Sequence, residues 1–286
     1  MSQLYNNLNA YQHLSSSFKV RDICKPFIST YDIELSVAQV WDDWFVDTFA
    51  DESAGDPMDH LALVSKNNKI IGFLFPEDLM ADKMIQDVYT QLDPEIILSS
   101  DTTIIEFAKI VSTSEHNIYF VIHANEFVGW VSYRSLNKAP FHLCLLTLIL
   151  ALEQYLLFVL LTSPKAAFEN LSDGRKEKAK NLHAFKRYGL DENGQPYLND
   201  LLECTLLIDK IEMVRLHPDL KEFFPAAKNR KTSKIAEETR NRIAHPTQAD
   251  HVLEKIGKKE IWPLIFWINE LSEQSHKYLI DKTIQQ

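Results

Sequence analysis

The chain has 286 residues, room for about two domains at the usual 100–200 residues each. Hydrophobic residues make up 45% and charged residues 24%, which excludes a disordered chain and fits a globular one. The net charge of −10 is uneven: residues 1–140 hold 20 acids and nine bases, residues 141–286 hold 20 acids and 21 bases, so the first half repels a polyanion and only the second tolerates one.

Met1 to Ser17 is polar and lacks an apolar signal core, which predicts a loosely held N-terminal tail over 1–17. Cys24, Cys144 and Cys204 are odd in number and have no metal-ligand spacing. They read as reduced thiols, and the chain as cytoplasmic.

The next stretch carries a series that occurs twice. A helix over Ser36–Thr48 and a polar insertion, Ala50–His60, precede the apolar run Leu61–Ser65. Lys66-Asn67-Asn68-Lys69 then supplies turn residues able to take positive φ, Ile70–Phe75 is a second run, and Pro76-Glu77-Asp78 suits a helix start. In the second copy, Asp101 is placed to cap a helix over Thr102–Ser112. Asn117–His123 and Phe127–Ser132 read as strands joined by Ala124-Asn125-Glu126, and Tyr133–Asn137 starts a further turn or helix.

This series resembles the tandem cystathionine-β-synthase-type (CBS) module. The matching pieces are Val20-Arg21-Asp22-Ile23, Leu61–Asp78, Glu95–Thr103 and Phe120–Ser135; the Ala50–His60 insertion departs from the usual spacing. The resemblance implies an α/β module over 18–138 that takes an adenine nucleotide as regulatory ligand between its copies. Family members that do so show Gly, two hydrophobic residues, Ser or Thr, two residues, then Asp. Here Gly72–Asp78 keeps the Asp and lacks the hydroxyl; Gly129–Ser135 keeps the hydroxyl, at Ser132, and lacks the Asp. Asp78 and Ser132 are therefore the implied ligand contacts. A plain acid at a helix start is the other reading of Asp78.

From His142 onward the pattern is helical. Leu143–Leu161 is 19 residues long, within the ~17–25 that span a bilayer. Its ten leucines favour insertion and Glu153 near its centre costs roughly 2.5–3.5 kcal/mol. With soluble patterns on both sides it reads as a helix buried nearly all round, with no membrane, which asks for a partner surface such as a two-fold dimer seam. Further helices are predicted over Arg175–Tyr188, Leu198–Leu216, Ser233–His245 and Ile261–Ile280, with no strand after Ser132.

Arg240-Asn241-Arg242-Ile243-Ala244-His245 is an Arg-x4-His motif near the end of this helical half. It resembles the HEPN (higher eukaryote and prokaryote nucleotide-binding) family over residues 141–282, whose ribonuclease members carry Arg-x4–6-His, often with Asn after the Arg. The resemblance implies an all-α four- to five-helix bundle, hence an α+β chain overall, and a homodimer that sets two motifs across one cleft on an RNA substrate. The implied catalytic residues are Arg240, Asn241 and His245. Their chemistry suits RNA cleavage by its own 2′-hydroxyl: imidazole titrates near ~6.5 and serves either proton role, and guanidinium grips two phosphate oxygens. No metal and no cofactor is required. Asn241 and His245, four apart, are expected on one helix face. Seven bases against three acids over 221–242 suit a phosphate-binding groove. Two alternatives use the same residues: a C-terminal cation pair, with Arg240 bridging to Glu237 or Glu238, and a non-catalytic nucleotide-sensing regulator whose helical half only dimerises or binds a partner.

Overall fold

A computed structural model describes residues 13–49, 61–79, 83–245 and 252–284. The predicted insertion at Ala50–His60 lies outside the described residues. The chain divides into two compact units: Lys19–Thr102 with Ser114–Ser135, and Met1–Phe18 with Thr103–Thr113 and Leu136–Gln286.

The first unit holds two sheets. Strands β1 (Thr30–Asp32), β2 (Ala62–Lys66), β3 (Lys69–Leu74) and β4 (Thr90–Gln91) form one in that order; β5 (Ile97–Ser99), β6 (Ile118–His123) and β7 (Glu126–Ser132) form the other. The duplication is visible down to single hydrogen bonds. Parallel β1 and β2 pair Thr30 with Leu63, as parallel β5 and β6 pair Ile97 with Phe120. Both hairpins carry a bulge at one equivalent place, Val64/Ser65 and Val121/Ile122. Both turn on two residues of positive φ, Asn67-Asn68 and Ala124-Asn125, the backbone a two-residue hairpin needs to match strand twist. Gly72 and Gly129 also correspond. A Cβ on Gly72 would lie 2.4 Å from the Thr90 carbonyl oxygen, and one on Gly129 2.4 Å from that of Lys25.

Helix α1 (Val37–Phe49) belongs to this unit. Val37, Val40 and Trp44 turn inward against Tyr31, Val64 and Leu74. Phe73 and Phe120, with ring centroids 4.7 Å apart, join the two sheets. The residues before β1 reach β7, where Lys25 and Trp130 exchange two backbone hydrogen bonds.

The helical unit is built on α3 (Ala139–Leu160), thirteen of whose 22 residues are buried. Around it lie α2 (Ile104–Thr113), α4 (Pro164–Glu169), α5 (Asp173–Lys186), α6 (Leu198–Glu203), α7 (Leu207–Leu216), α8 (Arg230–Ala244), α9 (Val252–Ile256) and α10 (Lys258–Ile284). Helix α3 is long and apolar enough to cross a membrane. The cover expected for it from a second copy comes over most of its surface from α7, α8 and α10 of the same chain. Helix α2, the second helix of the repeat, packs on α10 with Lys109 Nζ 5.3 Å from the Trp262 ring centre.

Four expectations need correction. Asp101 does not cap α2; it pairs with Arg21 at 3.0 Å. The cap is Thr103, whose hydroxyl accepts the Glu106 N–H while Glu106 accepts the Thr103 N–H, a capping box that Ser36 and Gln39 repeat for α1. The predicted helix over Leu198–Leu216 is two helices broken at Cys204–Leu206. There the Asp209 carboxylate accepts the Leu206 N–H and starts α7 afresh. Of the tail expected over 1–17, residues 1–12 lie outside the described residues, while 13–17 are helical, with Ser15 buried and its carbonyl accepting the Cys144 thiol at 3.3 Å. The fourth concerns His245, below.

Candidate functional site

A charged side chain in an apolar helix must find a partner or lose its charge. Glu153 sits amid the leucines of α3, 13% exposed, and its carboxylate is shared. One oxygen accepts Lys210 Nζ of α7 at 3.1 Å. The other lies 3.6 Å from the Arg240 guanidinium of α8. Lys210 is 2% exposed and also donates to the Thr205 carbonyl at 2.5 Å, the carbonyl freed by the break before α7. Burial pushes the Lys210 ammonium below its ordinary range, while Glu153 pulls it back up.

The chain of polar contacts continues outward. Arg240 donates to Asn241 Oδ1 at 3.2 Å, and Asn241 Nδ2 donates to Glu237 at 3.3 Å. The other Glu237 oxygen accepts the Ile208 N–H at 3.4 Å, at the start of α7. Arg240 and Asn241 are thus fixed by three helices, the first half-buried and the second exposed. Two cations, Lys210 and Arg240, balance two carboxylates, Glu153 and Glu237. Arg240 directs part of its five-donor fork to Glu153 and Asn241.

His245 is the capping residue of α8 rather than its last helical residue. It ends α8 with φ −110° and ψ 104°, an extended conformation, because the next residue is Pro246 and a residue before proline is driven out of the helical region. Its side chain is exposed and makes no polar contact among the described residues. Arg240 and Asn241 are held together by their contacts, and His245 caps the end of the same helix.

The basic stretch is less open than its composition suggests. Arg230 pairs with Glu212 at 3.4 Å, Lys231 with Glu260 at 2.8 Å and Lys234 with Glu238 at 3.9 Å. Arg175, at the start of α5, pairs with buried Asp209 at 3.0 Å.

In the first unit, Asp78 and Ser132 occupy different places of the repeat. Asp78 Oδ2 accepts the Phe75 N–H at 3.1 Å and starts the turn Pro76–Asp78. Its counterpart is Ser135, whose hydroxyl accepts the Ser132 N–H at 3.0 Å. Ser132 itself corresponds to Phe75. Both residues are half-buried, and the Asp78 carboxylate already has a structural task.

Glu153 and Lys210 were missed as part of the site. The available signal was a single glutamate inside ten leucines, which predicts a buried cation somewhere in the helical half; which cation depends on tertiary packing.

No family model and no curated protein matches the chain. Parts of it are similar to solved CBS-domain structures. The CBS domain of the bacterial CNNM/CorC family Mg2+ transporter, solved in complex with ATP, is 10% identical and is matched over 46% of this chain and 93% of that one, with a TM-score of 0.33. A CBS domain-containing protein of Thermotoga maritima is 16% identical over 42% of this chain and 91% of that one, with a TM-score of 0.30. A conserved CBS domain protein of unknown function from Thermoplasma acidophilum is 16% identical over 46% and 75%, with a TM-score of 0.32. The similarity falls on the N-terminal half. The duplicated topology itself rests on the matched registers, bulges and caps within the chain.

Proposed function

We propose that the chain is a metal-independent endoribonuclease of the HEPN type, acting as a homodimer and regulated by an adenine nucleotide bound to the CBS-like repeat. One observation carries this reading: Arg240 and Asn241 are held by a polar chain anchored on buried Glu153 and Lys210, one helical turn from an exposed His245. Anchoring supplies what phosphate recognition needs, a guanidinium whose direction is set before the substrate arrives. In the reaction the 2′-oxygen attacks the neighbouring phosphorus as the bond to the 5′-oxygen breaks. One imidazole takes the 2′ proton, and an imidazolium returns a proton to the departing 5′-oxygen. Two motifs facing one cleft supply both histidines. Arg240 neutralises the charge that builds on the phosphoryl oxygens. The products are a 2′,3′-cyclic phosphate and a 5′-hydroxyl. Asp78 and Ser132 are the proposed contacts of the regulatory nucleotide.

The test is cleavage of a generic single-stranded RNA in EDTA, with and without ATP, followed by end-group analysis. Cyclic phosphate and 5′-hydroxyl ends, formed at a rate that ATP changes, are expected. Absence of cleavage in both conditions overturns the ribonuclease reading.

A second reading is favoured by a specific contact. The pairing of Arg240 with Glu153 gives the arginine a structural role without RNA. On this reading the chain is a nucleotide-sensing regulator whose helical half dimerises or binds a partner. Nucleotide binding without RNA cleavage is its signature.

A further inference from the structure

Three ligand-bearing side chains meet at one end of the second sheet. Asp93-Pro94-Glu95 leads into β5 and His116 leads into β6. Because these strands are adjacent and parallel, their starts lie side by side. One ligand atom each from Asp93, Glu95 and His116 lies within 4.8 Å of the others, and His116 Nε2 is 3.8 Å from Glu95 Oε2. Around an ion with bonds of ~2.0–2.2 Å the ligands stand roughly 3.4 Å apart, so closure takes about 1 Å of side-chain rotation.

The supporting backbone is fixed on both sides. Asp93 Oδ1 accepts the Glu95 N–H at 2.9 Å and Pro94 begins the turn, which sets the two carboxylates. The Ser114 hydroxyl accepts the His116 N–H at 3.1 Å, and the imidazole meets the buried Tyr119 ring edge-on at 6.4 Å between centroids. Asp93 keeps its second carboxylate oxygen outside its bond to the Glu95 N–H, and the exposed Glu95 carboxylate keeps rotamer freedom to close on an ion. In the first copy the positions equivalent to Asp93 and Glu95, counted back from β1, are Pro26 and Ile28, whose side chains offer no ligand atom.

We propose that Asp93, Glu95 and His116 bind one divalent transition-metal ion of the zinc class, which ties the start of β5 to the start of β6. An imidazole with two carboxylates suits such ions, whereas Mg2+ and Ca2+ prefer oxygen-only sets with more ligands. A bound ion adds a link between segments about twenty residues apart in sequence and stabilises the folded repeat by mass action. Nothing in this site depends on the ribonuclease reading.

The experiment uses the full chain, stripped with chelator and dialysed, titrated calorimetrically with Zn2+, Mg2+ and Ca2+ and melted with each. Two variants are compared, Asp93→Asn/Glu95→Gln and His116→Gln. The first keeps every histidine and cysteine and an asparagine able to cap the turn, so it reports zinc binding elsewhere on the chain. Wild type is expected to bind one more equivalent of Zn2+ than either variant, or to bind it at least about tenfold more tightly, and to gain more in Tm. Metal-free melting of the variants should match wild type, since the replaced groups are exposed or half-buried. Equal stoichiometry, affinity and Tm gain in wild type and both variants overturn the site. Mg2+ or Ca2+ binding as tight as Zn2+ overturns the assigned metal class.

Discussion

The carboxylate of Glu153 holds Lys210 on one oxygen, at 3.1 Å, and faces Arg240 with the other, at 3.6 Å. The relationship explains how a charged residue persists inside the most apolar helix of the chain, and it links that helix to the motif at the end of α8. Removing one member of a buried pair leaves the other charge uncompensated, which costs about 3–5 kcal/mol, whereas replacing both by apolar groups is often neutral. Glu153→Leu should therefore lower stability by roughly that amount, and Glu153→Leu/Lys210→Met should recover most of it. Urea denaturation of the two variants measures the difference. Equal losses in the single and double variants contradict the account.

Acid should weaken a second contact. The Arg215 guanidinium hydrogen-bonds Glu212 and holds its carboxyl below the ordinary value of 4.5, with Arg230 adding to the effect against partial burial. A carboxyl lowered by folding contributes stability that is fully present above its unfolded value and is lost as pH falls through the folded one. The stability gap between wild type and Glu212→Gln should narrow as pH drops below 4.5. Melting temperatures across that range check it.

Ala124 occupies a left-handed position at φ 47°, where its counterpart in the first copy is Asn67 at φ 51°. A Cβ-bearing residue other than Asn or Asp is costly there, by about 1–2 kcal/mol. Ala124→Asn should raise stability by roughly 0.5–1 kcal/mol, read as a higher urea midpoint with unchanged slope.

Gly72 and Gly129 test the duplication directly. An added methyl meets a backbone carbonyl in each copy, Thr90 or Lys25, so the strands must part. Gly72→Ala and Gly129→Ala should each cost about 1–3 kcal/mol. A neutral result for either variant contradicts the close approach.

Much of this was legible in the sequence. The hairpins followed from alternating apolar runs around residues suited to positive φ, and the series repeated closely enough to reveal two copies. Period and polarity also marked α1, α3, α5 and α8. The short strands β1, β4 and β5 were not legible, because two or three residues carry no usable period and their pairing depends on partners elsewhere. The cap of α2 was misplaced by two residues, since Asp101 and Thr103 are both good caps and only the box with Glu106 decides. In the candidate site the sequence singled out Arg240, Asn241 and His245 as candidates by type and spacing. The helix end was legible to within one residue, because Pro246 stops the helix at His245 and the structure makes His245 its cap. The sequence did not supply Glu153 and Lys210, which reach Arg240 from helices far apart in the chain.

The central claim is that Arg240 and His245 act on one RNA phosphodiester. Its most direct test compares wild type, Arg240→Ala and His245→Ala for cleavage rate on single-stranded RNA in EDTA, after circular dichroism has shown all three folded. The account predicts cleavage by wild type and a loss on the order of 10²–10⁴-fold for His245→Ala, the usual contribution of a positioned acid–base group, with a comparable loss for Arg240→Ala. A folded His245→Ala variant that cleaves at the wild-type rate, or a wild type that does not cleave at all, contradicts it.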